Sequence, residues 1–360
     1  MFKLENISLA QFRNYGQTTF TFSQNVTGFC GKNGSGKTNL LDAIYYMCFT
    51  KSYFGKTDIQ NTQQGKLGFR LNGQVSVEGK SHNIICVLRE NGKKEFGVDN
   101  ENYTRFAAHI GKFPCVMIAP DDVAIITQAS EERRKFIDYT ISQLDAAYLQ
   151  TLIDYNKLLQ QRNSLLKQLA ESGNIDESLM EVISAQLVVA GNFIYRSRKT
   201  FLEAFIPVVL NLYHSIAEHK EKLTITYKSH LESAGFKEIL TKNRTKDIVL
   251  QRTSQGVHRD DLELGLESYP FKTIASQGQR KSLLFALKLA EFEVLLKHKG
   301  FPPLLLLDDV FEKLDETRMK NLLVKVCVEN KGQVFITDTH CSRLKEALEQ
   351  LHVSHEIKSL

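Results

Sequence analysis

Hydrophobic and polar positions fall into three regimes along the chain. Residues 2–9 alternate between apolar and polar, 18–23 alternate again, and 26–30 form a short apolar run entering a glycine-rich loop. Alternation with a period of two predicts half-buried strands. Further strands are expected at 68–71, 75–77, 84–88 and 116–119, with turn signals at Asn72-Gly73 and Asn91-Gly92. From 121 onward the pattern becomes helical. Leu152, Leu159 and Leu166 lie seven apart, Leu158 and Leu165 repeat that interval, and a second run passes through Ile183, Leu187, Ile194, Phe201, Leu202 and Phe205. The polar stretch Glu171-Ser172-Gly173-Asn174 between them reads as a helix–helix turn. Two antiparallel helices in a short arm fit this pattern, and Pro207 is expected to kink or end the second. The repeats span only two or three heptads, which excludes a long coiled coil. After 265 the chain returns to mixed character: Leu304–Leu307 is a continuous apolar run after Pro302-Pro303, the mark of a buried strand, and 333–337 is another.

Composition sharpens the division. Residues 1–120 hold 13 of the 21 glycines, whereas 121–264 contain only Gly173, Gly191, Gly235 and Gly256, with Pro207 as the single proline. Few helix breakers over such a length favour long helices. The expected fold is α/β: a head built from 1–125 and 255–360, with a β-rich lobe near 50–120, split by an inserted helical arm at 126–254. No uninterrupted apolar run approaches the ~18 residues that cross a bilayer. The N-terminus reads as a strand start and not as a signal peptide, so a cytoplasmic protein without a membrane is expected. Six scattered cysteines with no C-x-x-C pair are expected to be small buried hydrophobes in a reducing compartment. The net charge of +5 is too small to name a polyanionic partner, but its distribution is uneven. Residues 1–120 carry 14 basic and 8 acidic side chains; the remainder carries 32 and 33.

Gly31-Lys32-Asn33-Gly34-Ser35-Gly36-Lys37-Thr38 matches G-x-x-x-x-G-K-[ST], the phosphate-binding loop. Glycines let the backbone turn so that its N–H groups point at phosphate oxygens. Lys37 is expected to reach the β- and γ-phosphates of ATP, and the Thr38 hydroxyl to ligate Mg²⁺. Residues 31–38 and the following Asn39 are therefore the candidate nucleotide contacts. Asp308, at the end of the run Leu304–Leu307, is the second candidate Mg²⁺ ligand. Asp309 is positioned to orient or deprotonate the attacking water. Lys37 and Asp308 lie 271 positions apart yet must meet at one nucleotide, so the helical middle is an insertion between halves of one sheet. Ser276-Gln277-Gly278-Gln279 opens a helix through Leu283, Leu284, Leu287 and Leu289. Ser276, Gly278 and Gln279 there suit a phosphate, although a capping serine alone is common.

Together these motifs resemble the ABC-type ATPases, and the resemblance becomes specific to the RecF family within the SMC/Rad50-like group. The matching segments are 31–44, Leu9-Ala-Gln-Phe-Arg-Asn-Tyr15, Ala119-Pro-Asp-Asp-Val123 and Glu132-Arg-Arg-Lys-Phe-Ile-Asp138, followed by Tyr155-Asn-Lys-Leu-Leu-Gln-Gln-Arg-Asn163 and Gly256-Val-His-Arg-Asp-Asp-Leu262. The resemblance implies an ABC-type P-loop ATPase head with an inserted helical, short antiparallel coiled-coil-like arm. It implies ATP-dependent homodimerisation, slow hydrolysis, binding to gapped or junction DNA, and cooperation with RecR and RecO to load RecA. It assigns Ser276 to the γ-phosphate bound by the other subunit and Asp315 to the D-loop. Phe311-Glu312-Lys313-Leu314 before Asp315 departs from the family pattern. His340 stands near the switch position of ABC proteins, and a phosphate sensor and an ordinary surface histidine are both open readings. The DNA contacts are sought in the basic first third: Lys51, Lys56, Lys66, Arg70, Lys93, Lys94 and Arg105. Three rivals remain: the nucleotide-binding subunit of a transporter, an SMC-like bridging protein, and an ABC-type nuclease.

Overall fold

The computed structural model describes every residue except 218–220, 310 and 312–315, and the backbone alone of 217 and 316–318. Along the chain run β1 (Phe2–Phe12), β2 (Tyr15–Thr21), β3 (Val26–Cys30), α1 (Lys37–Phe49), β4 (Phe69–Val77), β5 (Lys80–Leu88), β6 (Lys94–Val98), β7 (Glu101–Asn102) and β8 (Cys115–Ile118). Next come α2 (Ala124–Thr127), α3 (Ser130–Leu144), α4 (Ala146–Ser172), α5 (Glu177–Ala217), β9 (Leu223–Lys228), α6 (Phe236–Lys242), α7 (Arg244–Val249), β10 (Asp261–Leu266), β11 (Tyr269–Pro270) and α8 (Phe271–Ile274). The last stretch holds α9 (Gln277–Lys299), β12 (Leu304–Leu307), α10 (Glu316–Leu323), β13 (Val334–Asp338), α11 (Cys341–Gln350) and β14 (His355–Ser359). One compact unit comprises Met1–Asp122, Leu212–Glu218 and Gln277–Leu360; the other comprises Val123–Asn211 and His219–Ser276.

The first unit contains two sheets. One is antiparallel, in the order β2-β1-β4-β5-β6-β7, and the other parallel, in the order β14-β3-β13-β12-β8. In β1 the side chains of Phe2, Leu4, Ile7, Leu9 and Phe12 are buried; a register shift between Leu4 and Asn6 moves the inward positions from even to odd at Ile7 and Leu9, and Gln11, with φ of 56°, precedes the return to an even position at Phe12. α1 packs against β1, β4 and β5 of one sheet and β8 and β13 of the other. Its residues from Leu40 to Phe49 are accordingly all buried, which is why they are apolar around the whole circumference except at Asp42. The parallel strands β3, β8, β12 and β13 are buried along their length, as continuous apolar runs require. The expected turn at Asn72-Gly73 lies instead inside β4, where the glycine makes room for Met47: a Cβ there would lie 1.8 Å from Met47 Cε. The hairpin turns at Glu78-Gly79, where φ is 50° and 82°.

The second unit holds the two expected long helices and their turn. α4 starts at Asp145, whose carboxylate accepts from the backbone of Ala147 and Tyr148, and stops at Gly173, with φ of 70°. Its buried stripe is Tyr148, Tyr155, Arg162 and Leu166, while Leu152, Leu158, Leu159 and Leu165 flank it half-buried. α5 buries Ile183, Leu187, Ile194, Leu202 and Phe205 as expected, and it runs through Pro207 without ending. By length and composition, 177–216 could cross a membrane. Its apolar stripe is one-sided, with Glu181, Gln186, Arg196 and Lys199 exposed.

Ion pairs fill the remaining core of this unit. Arg162 bonds Asp247 at 2.9 Å, and Arg198 bonds both Asp260 at 2.9 Å and Asp138 at 3.0 Å. Arg198 also donates to Val257 O, Arg134 donates to Asp260 O, and Arg133 grips Asp261. The segment 255–276, read from sequence as part of the head, belongs to this unit. Its strand β10 pairs along its length with β9, from Asp261↔Lys228 to Leu266↔Leu223.

Candidate nucleotide site

β3 delivers the chain to the phosphate-binding loop, and α1 carries it away. Within the loop Gly34 and Gly36 have φ of 85° and 110°. Gly36 is constrained twice, since a Cβ there would also lie 2.4 Å from Asn14 Nδ2 and 2.9 Å from the Tyr15 hydroxyl. Gly34 faces open space. The buried Lys37 ammonium donates to Gly31 O at 2.8 Å and to Lys32 O at 3.2 Å, folding the loop around itself.

Parallel pairing of β12 with β8 and β13 brings Asp308 to the same edge. The Thr38 hydroxyl donates to the Asp308 carboxylate at 2.9–3.0 Å across 270 residues of sequence. Thr337, at the end of β13, donates to Asp308 Oδ1 at 2.8 Å and accepts from the Asp309 backbone N–H at 2.9 Å. Asp309 itself sits in the left-handed region, with φ of 46°. Burial pushes the Asp308 carboxyl up to about 6; the Thr337 and Thr38 hydrogen bonds and the Lys37 charge pull against it, while Asp309 adds to it.

A second layer holds the loop from behind. The turn between β1 and β2 places Asn14 Nδ2 on Ser35 O at 3.1 Å and the Tyr15 hydroxyl on Gly36 O at 3.1 Å. Arg13 reaches Asn39 Oδ1 at 2.9 Å and Ser52 Oγ at 3.0 Å and forms an ion pair with Asp42 of α1. Burial dominates both partners, lowering the Arg13 guanidinium and raising the Asp42 carboxyl against each other's charge. Sequence reasoning missed Arg13, Asn14, Tyr15 and Thr337 as parts of this site. The available signal was the polar Arg-Asn pair between two alternating strands, with a buried Asp42 in an otherwise apolar helix.

The other expected residues are distributed as follows. Ser276 is exposed immediately before α9, with Gly278 and Gln279 half-buried in its first turn. Asp315 lies outside the described residues. His340 is exposed, and its backbone N–H is bound by Asp338 Oδ1 at 2.8 Å. Asp338 also holds Arg343 through both oxygens, so the end of β13 beside Cys30 carries a carboxylate. Lys51, Lys56, Lys66, Arg70, Lys93 and Arg105 are exposed. Lys94 is not available in the same way: it pairs with Asp58 at 2.9 Å, donates to Thr50 O and lies over the Phe106 ring.

Comparison with known proteins identifies the family and the fold. The family model described as the RecF/RecN/SMC N terminal domain matches residues 3–359. A protein of Flavobacterium johnsoniae named DNA replication and repair protein RecF is 41% identical over 358 residues, 99% of each chain. Its namesake in Bacteroides thetaiotaomicron is 39% identical and covers 98% of this chain and 95% of its own. A solved structure of the recombination mediator protein RecF-ATP in the RecFOR pathway superposes with a TM-score of 0.87 at 32% identity, over 95% of this chain and 93% of that one. The Smc head domain of Pyrococcus furiosus, with a TM-score of 0.56 and 15% identity over 96% of this chain and 92% of that one, shares the fold alone. The fold is that of an ABC-type ATPase head carrying an inserted helical unit, and the chain belongs to the RecF family of DNA replication and repair proteins.

Proposed function

We propose that this chain is an ATP-dependent, DNA-binding recombinational repair protein of the cytoplasm. It dimerises on ATP, binds double-stranded or gapped DNA at junctions, and acts with RecR and RecO to load RecA at gaps and stalled forks. Hydrolysis is slow and stimulated by DNA. The observation that carries the reading is the meeting of the Thr38 hydroxyl and the Asp308 carboxylate at 2.9–3.0 Å beside a loop with two positive-φ glycines. Hydroxyl and carboxylate oxygens are the hard donors that Mg²⁺ takes, and loop N–H groups with one lysine suit phosphate oxygens.

Gly31 to Thr38 and Asn39 cradle the phosphates, with Lys37 countering the charge of the β- and γ-phosphates. Thr38 and Asp308 hold Mg²⁺, which when bound draws charge from the phosphate oxygens. Asp309 orients the attacking water. Ser276, Gly278, Gln279 and Asp315 complete the site of a second subunit. Lys51, Lys56, Lys66, Arg70 and Arg105 contact the DNA backbone, so that pairing two heads doubles the basic surface that faces one duplex.

Gel filtration of wild type and Lys37→Ala with ATP and Mg²⁺, with and without gapped duplex, tests the reading. A shift to dimer in wild type alone supports it. No shift in either protein overturns it.

A further inference from the structure

Four of the six cysteines are buried as small hydrophobes, and one of these, Cys30, lies beside the half-buried Cys341. Cys30 is the last residue of β3 and the one directly before the phosphate-binding loop; Cys341 is the first residue of α11. The packing of α11 on β3 sets their alignment. A Cβ at Gly28 would lie 2.7 Å from Leu344 Cδ2. Gly28 and Cys30 are two apart on a strand and share a face, while Leu344 and Cys341 are three apart on a helix and share a face. Cys341 thus stands over Cys30 as Leu344 stands over Gly28, and Cys30 pairs across the sheet with Asp338, only three residues before Cys341. Cys30 is fully buried and Cys341 half-buried, so only one of the two is open to a small solute. Burial, with Cys341 adding to it, pushes the Cys30 thiol up to about 12, so Cys30 is not the thiol that meets peroxide first; it serves as the slower, resolving partner, which gives up its proton to the leaving oxygen as it attacks.

We propose that Cys30 and Cys341 form a reversible disulfide when the protein meets hydrogen peroxide, a covalent switch at the root of the nucleotide loop. The accessible Cys341 sulfur takes one oxygen from peroxide, giving a sulfenic acid and releasing water. The Cys30 sulfur then attacks that sulfur; the S–S bond forms, the S–O bond breaks, and a second water leaves with the Cys30 proton. Two thiols lose two electrons, and peroxide is reduced to two waters. A thiol reductant reverses the change.

The bond, about 2.0 Å long, is far shorter than a contact between thiols, so closing it draws Cys30 toward α11. The adjoining Gly31 has no slack: a Cβ there would lie 2.6 Å from Leu360 O and 2.8 Å from Ser35 Oγ. Its carbonyl also accepts from Lys37 Nζ. Displacement at Cys30 therefore passes into the loop and weakens ATP binding. That consequence rests on the nucleotide-binding reading, whereas formation of the bond does not. Cys48 and Cys115, at 3% and 1% exposure, are sealed in the core and stay reduced.

The test treats the full chain with hydrogen peroxide. Linked peptides are read by mass spectrometry without reductant, and affinity for a fluorescent ATP analogue is measured before and after dithiothreitol. The expected result is a 30–341 linkage and a loss of affinity of about tenfold or more, of the size that a small misplacement of binding groups produces, reversed by dithiothreitol. Both effects should be absent in Cys341→Ser and retained in Cys48→Ala. Lack of the linkage, or an equal loss of affinity in Cys341→Ser, overturns the proposal. A linkage without loss of affinity overturns the switch and leaves the ATP reading intact. Failure of the untreated protein to bind ATP removes the ATP reading and the proposed consequence, while the mass readout still decides the linkage.

Discussion

Asp308→Asn should make the protein more stable while ending its ATP turnover. The carboxylate is 3% exposed and is pushed up to about 6 from an ordinary 3.8, with burial as the main cause. A difference of about two units corresponds to about 3 kcal/mol between the protonation states. The sign follows from proton counting. Between about pH 4 and pH 6 the folded chain binds a proton that the unfolded chain has released, so stability falls as pH rises through that window. Above pH 6 the full cost of the buried charge is present. Asparagine keeps the shape, and its carbonyl oxygen can accept from both Thr337 and Thr38, which stand 2.8 and 3.0 Å from Asp308 Oδ1. In buffer with EDTA and no nucleotide at pH 8, the variant should gain about 2–3 kcal/mol, or about 5–10 °C in Tm for a unit of roughly 200 residues. At pH 4 the gain should approach zero. Thermal unfolding followed by circular dichroism at both pH values reads the effect, with ATP turnover measured in parallel. A variant no more stable than wild type at pH 8, or one with the same gain at pH 4, would refute the reasoning.

Three further outcomes are expected. Thr337→Val should raise the Mg²⁺ concentration needed for tight ATP binding and lower turnover about tenfold or more, since a hydrogen bond to a charged group is worth about 1.5–3 kcal/mol; Thr337→Ser should restore both, in titrations with a fluorescent nucleotide. Arg162→Met should leave Asp247 without its ion-pair partner, with side-chain exposures of 3% and 0%, and destabilise the second unit. The cost of about 3–5 kcal/mol should appear in urea unfolding and be partly recovered in the double variant Arg162→Met, Asp247→Leu. Charge reversal at Lys51, Lys56 and Arg70 should weaken DNA binding and flatten its salt dependence by about 0.9 in log–log slope for each phosphate no longer neutralised; an unchanged slope in fluorescence anisotropy would exclude these residues from the interface.

Local chemistry made much of this molecule legible. A strand, a glycine loop and a helix announce themselves within fifteen residues or so, and β12 could be read because four leucines between Pro302-Pro303 and Asp308-Asp309 admit few other states. The helix turn at Gly173 was legible for the same reason, a left-handed cap where the periodic run stops. The failures share one cause. Asn72-Gly73 resembles a turn, but Gly73 is small because Met47 of a distant helix needs the room. Of the heptad leucines of α4 only Leu166 lies on the inner stripe, which otherwise includes Tyr155 and Arg162 because their partners, His258 and Asp247, arrive from about a hundred residues away. The segment 255–276 looked like a return to the head until β10 was seen paired with β9.

By itself, then, the sequence determined the phosphate loop, the acidic strand end, the helical insertion between them and the basic balance of the first third. These depend on residue type over short spans, where backbone sterics and periodicity act alone. Only the tertiary structure decided what stands behind the loop and what orients Asp308. It also decided where the second unit begins again and which two thiols lie together. Each of those is a contact between residues remote in sequence. The register of a parallel sheet and the packing of one helix against another set such contacts, and no local pattern encodes them.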